Sequence, residues 1–539
     1  EAIFYTSGRT SNEAAYLYQL FIRSYGTNNL PDCSNMCHES SGVGLSHTLG
    51  IGKGSVTLND LHEAEVIMIM GQNPGTNHPR MLGALEKCKQ NGGKIITVNP
   101  LPEAGLLNFT DPQSPIKMIQ GGTSLTDVFA SVRVNGDVAF LKAIMLKLAK
   151  MEEANPGKIL DWDFIKEHTH GFDNFLENLK KEDLQHAISE SGVEESIITE
   201  VAEMVATNDK IIICWAMGLT QHKNGVGNIQ EVVNLLLMRG AIGKPGAGTC
   251  PVRGHSNVQG DRTMGIWESP KEAFLAALDR VHGIQAPREH GYHVVSAIEA
   301  MKAGKGKVFF AMGGNFLSAS PDTHYTADAL QNTKLTVHVS TKLNRSHLVT
   351  GKQALILPCL GRTDKDVQAD GEQFVSCENS MGVVQSSQGI LTPPNVLLKS
   401  EVAIVAELAL ATLQNSEVNW IGMSANYDKI RNAIEQTIPG FENYNERVRK
   451  PGGFYLPNGA RERVWDTETG KANFTTNAIP HNELKEGEYL MMTLRSHDQY
   501  NTTVYGLDDR YRGIYNERRI VMMNIKDIKA RGWKEKQVV

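Results

Sequence analysis

The amino-acid sequence predicts an α/β fold with largely parallel sheets. Short runs of β-branched and other apolar residues alternate with amphipathic stretches along most of the 539 residues, and this alternation is typical of strand–helix–strand units. Several strand-like runs end in loops rich in glycine and asparagine, as strands do at the carboxyl edge of open α/β sheets. The chain is also too long for one hydrophobic core, so we expect several domains.

The first predicted unit lies at the amino end of the sequence. A β-rich run over residues 2–5 is followed by a polar turn and then by apolar residues with helical spacing. Thr10 and Glu13 stand three residues apart just before this apolar stripe, which is the spacing of a capping box. We therefore expect Thr10 to cap the first helix.

The second predicted unit is a βαβ unit. Residues 66–70 are all apolar and predict a strand, and a glycine-rich loop follows them. A helix is expected from about Pro79 to a stop at Gly92, and residues 95–98 predict the next strand. Two strands joined by a helix in this way pair in parallel.

Two further units repeat the pattern. The third joins the strand-like "KIIICW" to a helix with an apolar stripe at Ile229, Val232, Val233 and Leu236. The fourth begins with "KVFFAM" and continues with the strand-like "LTVHVS" and "ALILPC".

Residues 243–265 contain many glycines and prolines, which argue against a helix or a plain strand there. Residues 440–475 are polar and read as a linker into a final β-rich domain that begins near Tyr489.

Composition excludes several classes of function. The net charge is −6 and no basic stripe is present, so nucleic acid is not an expected partner. No apolar run approaches the roughly 18 residues that span a bilayer. Seven cysteines, an odd number, are spread along the chain, which indicates a reducing compartment and hence a cytoplasmic protein. A strand-like run at the very start and an end without a closing element lead us to expect a fragment of a longer chain.

Three strand-like runs end in Met-Gly and a polar loop: "IMGQNPGTN", "AMGLTQHKNG" and "AMGGNFLSA". Two of these loops, at residues 69–77 and 311–319, share the pattern M-G-x-N. Glycine at a strand end lets backbone N–H groups approach a phosphate closely. The repeated pattern therefore suggests a duplicated nucleotide site. The alternative is that sharp turns after strands simply require glycine and asparagine.

Two other segments carry residues with reactive side chains. "NMCHESSGVGL", residues 35–45, places Cys37 beside His38 and follows them with small residues. This pair could be a metal thiolate with an acid/base partner, or a buried structural cysteine beside a chance histidine. "GKPGAGTCPVRGHSNVQGDRTMG", residues 243–265, is a long loop with closely spaced polar side chains, and such loops are usually functional. From composition alone, however, Arg253 would more simply form a surface ion pair.

In their order along the chain, "NMCHESSGVGL", "GQNPGTNHP", "TVNP", "AMGLTQH" and "GAIGKPGAGTCPVRGHSNVQG" resemble the catalytic subunit of molybdopterin-dependent oxidoreductases. Within that family the sequence resembles the formate dehydrogenase alpha subunits and the YdeP-like group. The resemblance covers essentially the whole chain. Its most specific motifs are "VRGHSNVQG" and the Cys-His pair followed by "GVGL", whereas the Met-Gly loops add support.

The resemblance implies two doubly wound α/β domains, related by a pseudo-twofold, around molybdenum or tungsten held by two pterin guanine dinucleotides. A β-barrel-like C-terminal domain, cut short here, would cap this cofactor. The implied regions are 1–32 and 263–375 for α/β domain A, 33–262 for α/β domain B, 376–480 for an irregular linking region, and 481–539 for the start of the capping domain. A four-iron four-sulfur cluster is implied upstream of the matched region.

The resemblance also implies site residues. Cys37 maps to the metal ligand, His38 to the catalytic histidine that receives a proton, and Arg253 to the arginine that holds a substrate carboxylate. A soft sulfur suits a redox metal, and a guanidinium fork matches a carboxylate. The small residues after Cys37 would let its loop lie close under the pterin. The implied cofactor contacts are Gly71, Asn73, Thr76, His78, Asn99, Gly218, Gln221, Gly314, Asn315, Arg495 and Gln499.

The function implied most directly is oxidation of formate to CO2, with electrons leaving to an acceptor protein or cofactor. Three departures from formate dehydrogenases bear on it. The metal ligand is cysteine rather than selenocysteine, Asn99 stands where many members have aspartate, and Glu39 and Ser40 replace Gly-Pro after the Cys-His pair. The alternatives are another small substrate on the same cofactor, as in an oxyanion reductase, and a non-catalytic electron-transfer or assembly subunit.

Overall fold

The computed structural model describes residues 1–110, 122–497, 499, 502 and 506–538. The chain forms two compact units, Glu1–Met491 and Met492–Val539.

Within the described residues of the first unit, nine strands form two sheets. In chain order they are β1 (Ala2–Thr6), β2 (Val66–Met70), β3 (Lys94–Val98), β4 (Val128–Ala130), β5 (Ile211–Trp215), β6 (Gly248–Pro251), β7 (Val308–Met312), β8 (Leu335–Ser340) and β9 (Gln353–Pro358). Sheet 1 has the order β1-β7-β8-β9, and sheet 2 has the order β4-β3-β2-β5-β6. Every neighbouring pair in both sheets is parallel. The predicted α/β fold with parallel sheets is therefore confirmed.

The chain enters sheet 1 with β1, builds all of sheet 2, and returns to sheet 1 with β7. The five strands of sheet 2 are therefore inserted in the sequence between β1 and β7, the first two strands of sheet 1 in chain order. The strands of both sheets carry buried apolar residues, and helices with buried apolar residues pack against them, as is typical of parallel sheets. The path agrees with the order of the predicted domains A, B and A, whose boundaries remain a prediction.

The helices and short strands complete the first unit. The longer helices are Asn12–Tyr25, Glu39–Leu49, Pro79–Gln90, Asp137–Ala154, Phe172–Lys181, Leu184–Ser191, Glu195–Thr207, Gly225–Met238, Glu272–His282, Val294–Lys302, Thr323–Gln331, Glu401–Thr412 and Tyr427–Thr437. The shorter ones are Cys33–Met36, Leu58–Glu63, Pro74–Asn77, Ala104–Leu107, Trp162–His168, Met217–Thr220, Val258–Thr263, Phe316–Ala319, Arg345–Leu348, Trp420–Ala425, Tyr444–Val448 and Gly459–Glu462. The short strands are Asn108–Phe109, Thr123–Ser124, Thr169–His170, Asp366–Gln368, Gly371–Gln373, Val375–Glu378, Val383–Ser387, Phe454–Tyr455 and Ala472–Asn473.

The predicted cap of the first helix is wrong by one residue. Ser11 is the N-cap, and its side chain accepts a hydrogen bond from the backbone N–H of Ala14. Glu13 cannot close a capping box because its carboxylate is fully buried and binds the Arg431 guanidinium at 2.7 Å. A buried carboxylate must be paired, and this tertiary ion pair overrides the local capping pattern.

Residues 376–480, predicted to be an irregular linking region, contain helices and part of the core. Helices Glu401–Thr412 and Tyr427–Thr437 contribute Val405 and Ile434 to the hydrophobic cluster that also contains Phe21 of the first helix. Apolar residues occur all around the first of these two helices, as is typical of a buried helix. A helix of this kind has no amphipathic stripe, so helical periodicity did not predict it from the sequence.

Residues 243–265 also differ from their predicted irregular structure, since they contain β6 and the short helix Val258–Thr263. Gly248 has φ +147°, and a Cβ there would lie 2.3 Å from Oγ of Ser55. The glycine therefore allows close packing rather than breaking the strand. Pro251 is tolerated because β6 is an edge strand of sheet 2.

The second unit, Met492–Val539, contains the helices Arg510–Arg512 and Ile525–Ala530. Nδ1 of His497 lies 3.0 Å from Oδ1 of Asp509. None of the described residues between 492 and 538 lies in a strand. The barrel-like character of this domain thus stays a prediction.

Across the residues that the structure describes, no helix has both the length and the apolar character needed to cross a bilayer.

Candidate active site

Cys37 lies at the junction of two helices. It follows the 3₁₀-helix Cys33–Met36, and His38 is the N-cap of helix Glu39–Leu49. The Thr220 hydroxyl, from the loop after β5, donates to the Cys37 carbonyl at 2.8 Å. Ser40 in turn donates to the Thr220 carbonyl at 2.9 Å. These two bonds hold the Cys37 segment against the carboxyl edge of sheet 2.

The small residues after Cys37 serve more than one purpose. A Cβ on Gly44 would lie 3.0 Å from Ile229, so Gly44 allows two helices to pack closely. A Cβ on Gly225 would lie 2.5 Å from the Thr220 carbonyl oxygen. A Cβ on Gly42, by contrast, would meet nothing within 4 Å. Helix packing therefore explains Gly44, and only Gly42 fits the expectation of open space beside the loop.

The environment of Cys37 opposes ionisation of its thiol. The side chain is buried, and burial raises the pKa of the Cys37 thiol to about 11, although the positive charge of Arg253 acts in the opposite direction. The thiol is therefore protonated at neutral pH unless a cation binds it. A metal ion binds the thiolate, so metal binding at Cys37 would release a proton.

His38 is buried and hydrogen-bonded within the protein. Its Nδ1 lies 3.0 Å from the Ser41 hydroxyl, which also accepts the indole N–H of Trp215 at 2.9 Å. Burial, reinforced by the charge of Arg253, lowers the pKa of His38 well below its usual range. The imidazole is therefore neutral at physiological pH, and only the neutral form can accept a proton.

Arg253 begins the loop after β6 and is held by three bonds. Its Nε donates to Oε1 of Gln259 at 3.1 Å, and Nη2 donates to the Gly52 carbonyl at 3.0 Å. Its backbone N–H donates to the Ser380 hydroxyl at 3.0 Å. Burial lowers the pKa of Arg253, while Cys37 and Glu378 act in the opposite direction. Arg253 is thus near enough to Cys37 for each to affect the pKa of the other.

Glu39 and Ser40, which stand where formate dehydrogenases have Gly-Pro, form hydrogen bonds within the protein. Glu39 accepts a hydrogen bond from Nη2 of Arg262 at 2.7 Å and one from Nδ2 of Asn35 at 3.2 Å. Ser40 donates to the carbonyl of Thr220, as described above. Both side chains therefore stabilise the Cys37 segment.

Gly71 and Gly218, at the ends of β2 and β5, touch each other. The Gly218 N–H donates to the Gly71 carbonyl at 2.9 Å, and a Cβ on either glycine would lie under 3 Å from the backbone of the other. Gly71 also has φ +55°, a conformation that favours glycine. The two loops can cross at this distance only because neither residue has a side chain.

The loop after β2 presents buried polar atoms. Asn73 caps helix Pro74–Asn77 by accepting the Thr76 N–H at 3.3 Å, and Gln72 Nε2 lies 3.2 Å from Nδ1 of His78. Three buried oxygens have no hydrogen-bond partner among the described residues: Oε1 of Gln72, Oγ1 of Thr76 and Oδ1 of Asn77. Buried polar atoms are normally bonded, so this loop has unused capacity for a polar ligand.

The next two predicted contacts make bonds within the protein. Asn99, after β3, donates its side-chain amide to the Leu101 carbonyl at 2.7 Å. Gln221, after β5, donates its amide to the Met36 carbonyl at 3.0 Å. Gln221 therefore adds a third link between the β5 loop and the segment that carries Cys37.

Gly314 and Asn315 follow β7 at the carboxyl edge of sheet 1. Nδ2 of Asn344 donates to the Gly314 carbonyl at 3.0 Å, and the Ser346 hydroxyl donates to Oδ1 of Asn315 at 3.1 Å. Gly314 has φ +81°. The two M-G-x-N loops thus both follow a parallel strand at its carboxyl end, in different sheets, and the duplicated nucleotide site stays a prediction.

Arg495 and Gln499 lie in the second unit and contact each other. Nη2 of Arg495 donates to the Gln499 carbonyl at 3.0 Å, and the Ser496 hydroxyl donates to Oε1 of Gln499 at 2.9 Å. Their predicted role as cofactor contacts stays a prediction.

The residues at the carboxyl edge of sheet 2 fit a large polar cofactor. Unpartnered oxygens of Gln72, Thr76 and Asn77, in the loop after β2, are available to its polar groups. Carboxyl edges of parallel strands are where open α/β sheets bind nucleotides. The Cys37 thiol, tied to the same edge through Thr220, is a suitable soft ligand for a redox metal.

Replacing Gly71 by alanine tests this glycine crossing. The new Cβ would lie 2.7 Å from the Gly218 backbone at a positive φ. We expect a loss of about 2–4 kcal/mol in the free energy of unfolding, which follows from overpacking and backbone strain together. Thermal unfolding measures this, and the variant should also retain less metal per chain. Gly83→Ala is the control, because a Cβ at Gly83 would meet nothing within 4 Å.

Three residues around the site were not identified from the sequence. Thr220 and Trp215 hold the Cys37–His38 segment from the β5 side, and Glu378 binds Gln259 beside Arg253. Thr220 lies in a Met-Gly loop, so its position after a strand was a usable signal. Nothing local to Trp215 or Glu378 distinguishes them from other core residues.

Comparison with known proteins identifies the family. The family model described as molybdopterin oxidoreductase matches residues 1–347. An uncharacterized oxidoreductase of Mycobacterium tuberculosis is 54% identical over 98% of this chain and 68% of its own length. Protein YdeP of Escherichia coli is 48% identical over 98% of this chain and 70% of its own length.

Two more distant similarities extend this result. The alpha subunit of a formate dehydrogenase from Methanococcus maripaludis is 28% identical over 68% of this chain and 51% of its own length. Acetylene hydratase from Pelobacter acetylenicus has the same fold, with a TM-score of 0.61 at 16% identity over 87% of this chain and 63% of that chain. The family match over residues 1–347 and the identity to full-length relatives lead to one conclusion: this chain belongs to the molybdopterin oxidoreductase family.

Proposed function

We propose that this chain is the catalytic part of a formate-oxidising enzyme. In this proposal Cys37 binds the metal, His38 accepts the proton and Arg253 holds the carboxylate of formate. The observation that carries the proposal is that the buried Cys37 thiol, the neutral His38 imidazole and the Arg253 guanidinium are near enough for the charge of Arg253 to shift the pKa of the other two. The similarity to a formate dehydrogenase alpha subunit supports the choice of substrate.

The proposed cofactor is molybdenum or tungsten with two pterin guanine dinucleotides. When bound, this group would supply a two-electron acceptor next to Cys37. One dinucleotide would lie along the β2, β3 and β5 loops, and the other along the β7 loop. The residues proposed to hold them are Gly71, Asn73, Thr76, His78, Asn99, Gly218 and Gln221 for the first, and Gly314 and Asn315 for the second.

The reaction balances as formate giving CO2, one proton and two electrons. Arg253 would bind the carboxylate and fix the direction of the C–H bond. His38 would take the proton, since its neutral imidazole is the form able to do so. A four-iron four-sulfur cluster, if bound, would supply one-electron transfer to a protein or small-molecule acceptor.

The test is a metal analysis followed by an activity measurement on the same sample. Molybdenum and tungsten per chain are measured in full-length protein purified without air, and formate and a redox dye are then added. We expect close to one metal per chain and dye reduction that requires formate. Metal without dye reduction would shift the proposal to another small substrate, such as an oxyanion. Absence of metal after expression in a host that makes the cofactor would favour a non-catalytic subunit.

A further inference from the structure

Residues 378–380 form a clamp on the loop that carries Arg253. The Ser380 hydroxyl accepts the backbone N–H of Arg253 at 3.0 Å. The Asn379 carbonyl and Oε1 of Glu378 accept Nε2 of Gln259, at 3.1 and 2.7 Å respectively. The clamp follows the strand Val375–Glu378, which lies outside the family match over residues 1–347.

The clamp sets the orientation of the Gln259 amide. The amide nitrogen is a donor and faces the Glu378 carboxylate, so the amide oxygen faces Nε of Arg253 at 3.1 Å. In the reverse orientation the oxygen would face a carboxylate and the nitrogen would face a guanidinium N–H. Both of those contacts are repulsive, and Glu378 therefore selects the orientation that Arg253 requires.

Glu378 is itself fixed. Its side chain is fully buried, and Oε1 accepts the Lys53 ammonium at 2.7 Å. The Thr263 hydroxyl donates to Oε2, and the Glu378 backbone N–H donates to Oδ1 of Asn257 at 2.7 Å. A buried carboxylate with partners on both oxygens is a rigid point from which to orient a neighbour.

We propose that Glu378 is a positioning residue for anion binding, acting through Gln259 on the guanidinium of Arg253. Gln259 and the Gly52 carbonyl engage Nε and Nη2 of Arg253, and Nη1 is the nitrogen left for an anion within the described part of the chain. This inference rests on the proposed role of Arg253 as a carboxylate anchor. It adds a residue from a separate segment to that site.

A double-mutant cycle tests the proposal on the full chain loaded with cofactor. The dissociation constants of formate and of nitrate are measured by isothermal titration calorimetry for the parent, Glu378→Gln, Arg253→Lys and the double variant. We expect Glu378→Gln to weaken anion binding about tenfold when Arg253 is present and less than about twofold in the Arg253→Lys background. Glu372→Gln is the matched control, because Glu372 is exposed and its carboxylate pairs with Lys365 at 3.1 Å, outside the clamp.

A second, independent test exchanges the amide and carboxylate side chains at positions 259 and 378. Gln259→Glu alone places two carboxylates together and should weaken anion binding. Combined with Glu378→Gln it restores an acceptor for Arg253 and a donor–acceptor pair between positions 259 and 378. We expect the combined variant to return to within about threefold of the parent. Thermal unfolding of each variant separates this recovery from a change in stability.

The outcomes separate the two proposals. Equal weakening by Glu378→Gln in both backgrounds, or no recovery in the combined variant, would overturn the positioning role. A parent protein that binds neither anion would also overturn it. If nitrate binding shows the expected coupling but formate is not oxidised, the positioning role stands and the proposed reaction fails.

Discussion

Replacing Cys37 by serine is expected to lower formate-dependent dye reduction by at least about two orders of magnitude, equivalent to roughly 3 kcal/mol of transition-state stabilisation. A serine hydroxyl remains protonated at neutral pH and is a hard oxygen donor, so it cannot replace a thiolate on a redox metal. Metal content should fall much less than the rate, because the loops after β2, β5 and β7 are proposed to hold the cofactor independently of Cys37. The rate and the metal per chain are measured on the same preparation.

Cys88→Ser is the control for this substitution. Cys88 is also fully buried, and its thiol donates to the Ala64 carbonyl at 3.4 Å, a bond that a serine hydroxyl can make. It lies in helix Pro79–Gln90, away from the loops that carry the proposed site. A Cys37→Ser protein that keeps most of the parent rate would show that Cys37 is not the metal ligand.

Replacing Arg253 by lysine should raise KM for formate by about 10- to 100-fold and change kcat far less, because loss of a charged hydrogen bond costs roughly 1.5–3 kcal/mol. A lysine cannot bind Gln259, Gly52 and a carboxylate together, because its ammonium is a single point rather than a fork. The amide oxygen of Gln259 would also be left without its donor. Steady-state kinetics over a wide range of formate concentration measures the two parameters separately.

Arg461→Lys is the matched control for Arg253→Lys. Arg461 also donates to backbone carbonyls, those of Ser55 and Val56, at 2.9 and 3.3 Å. Its substitution should affect stability but leave KM for formate within about twofold of the parent. If both variants raise KM equally, the effect of Arg253 would be one of general stability, and its role as carboxylate anchor would be excluded.

Local sequence patterns fail where a residue serves a distant partner. Thr10 and Glu13 have the spacing of a capping box, yet the Glu13 carboxylate forms an ion pair with Arg431, more than 400 residues away in sequence. Residues 376–480 contain polar stretches and were predicted to be irregular. Helices within this region nevertheless supply apolar residues that complete the core around the first helix. Capping and periodicity describe a segment by itself, whereas burial depends on which other segment covers it.

The sequence by itself determined the parallel α/β architecture, the strand ends that carry glycine loops, and the candidates Cys37, His38 and Arg253. Apolar runs, helical stripes and turn residues are local signals, and a resemblance of ordered motifs needs no coordinates. Only the tertiary structure decided what holds those candidates. Trp215 reaches the Ser41 hydroxyl across 174 positions, and Glu378 reaches Gln259 across 119. Such hydrogen bonds depend on how two sheets and a later strand are placed in space, and no periodicity within a single segment encodes that placement.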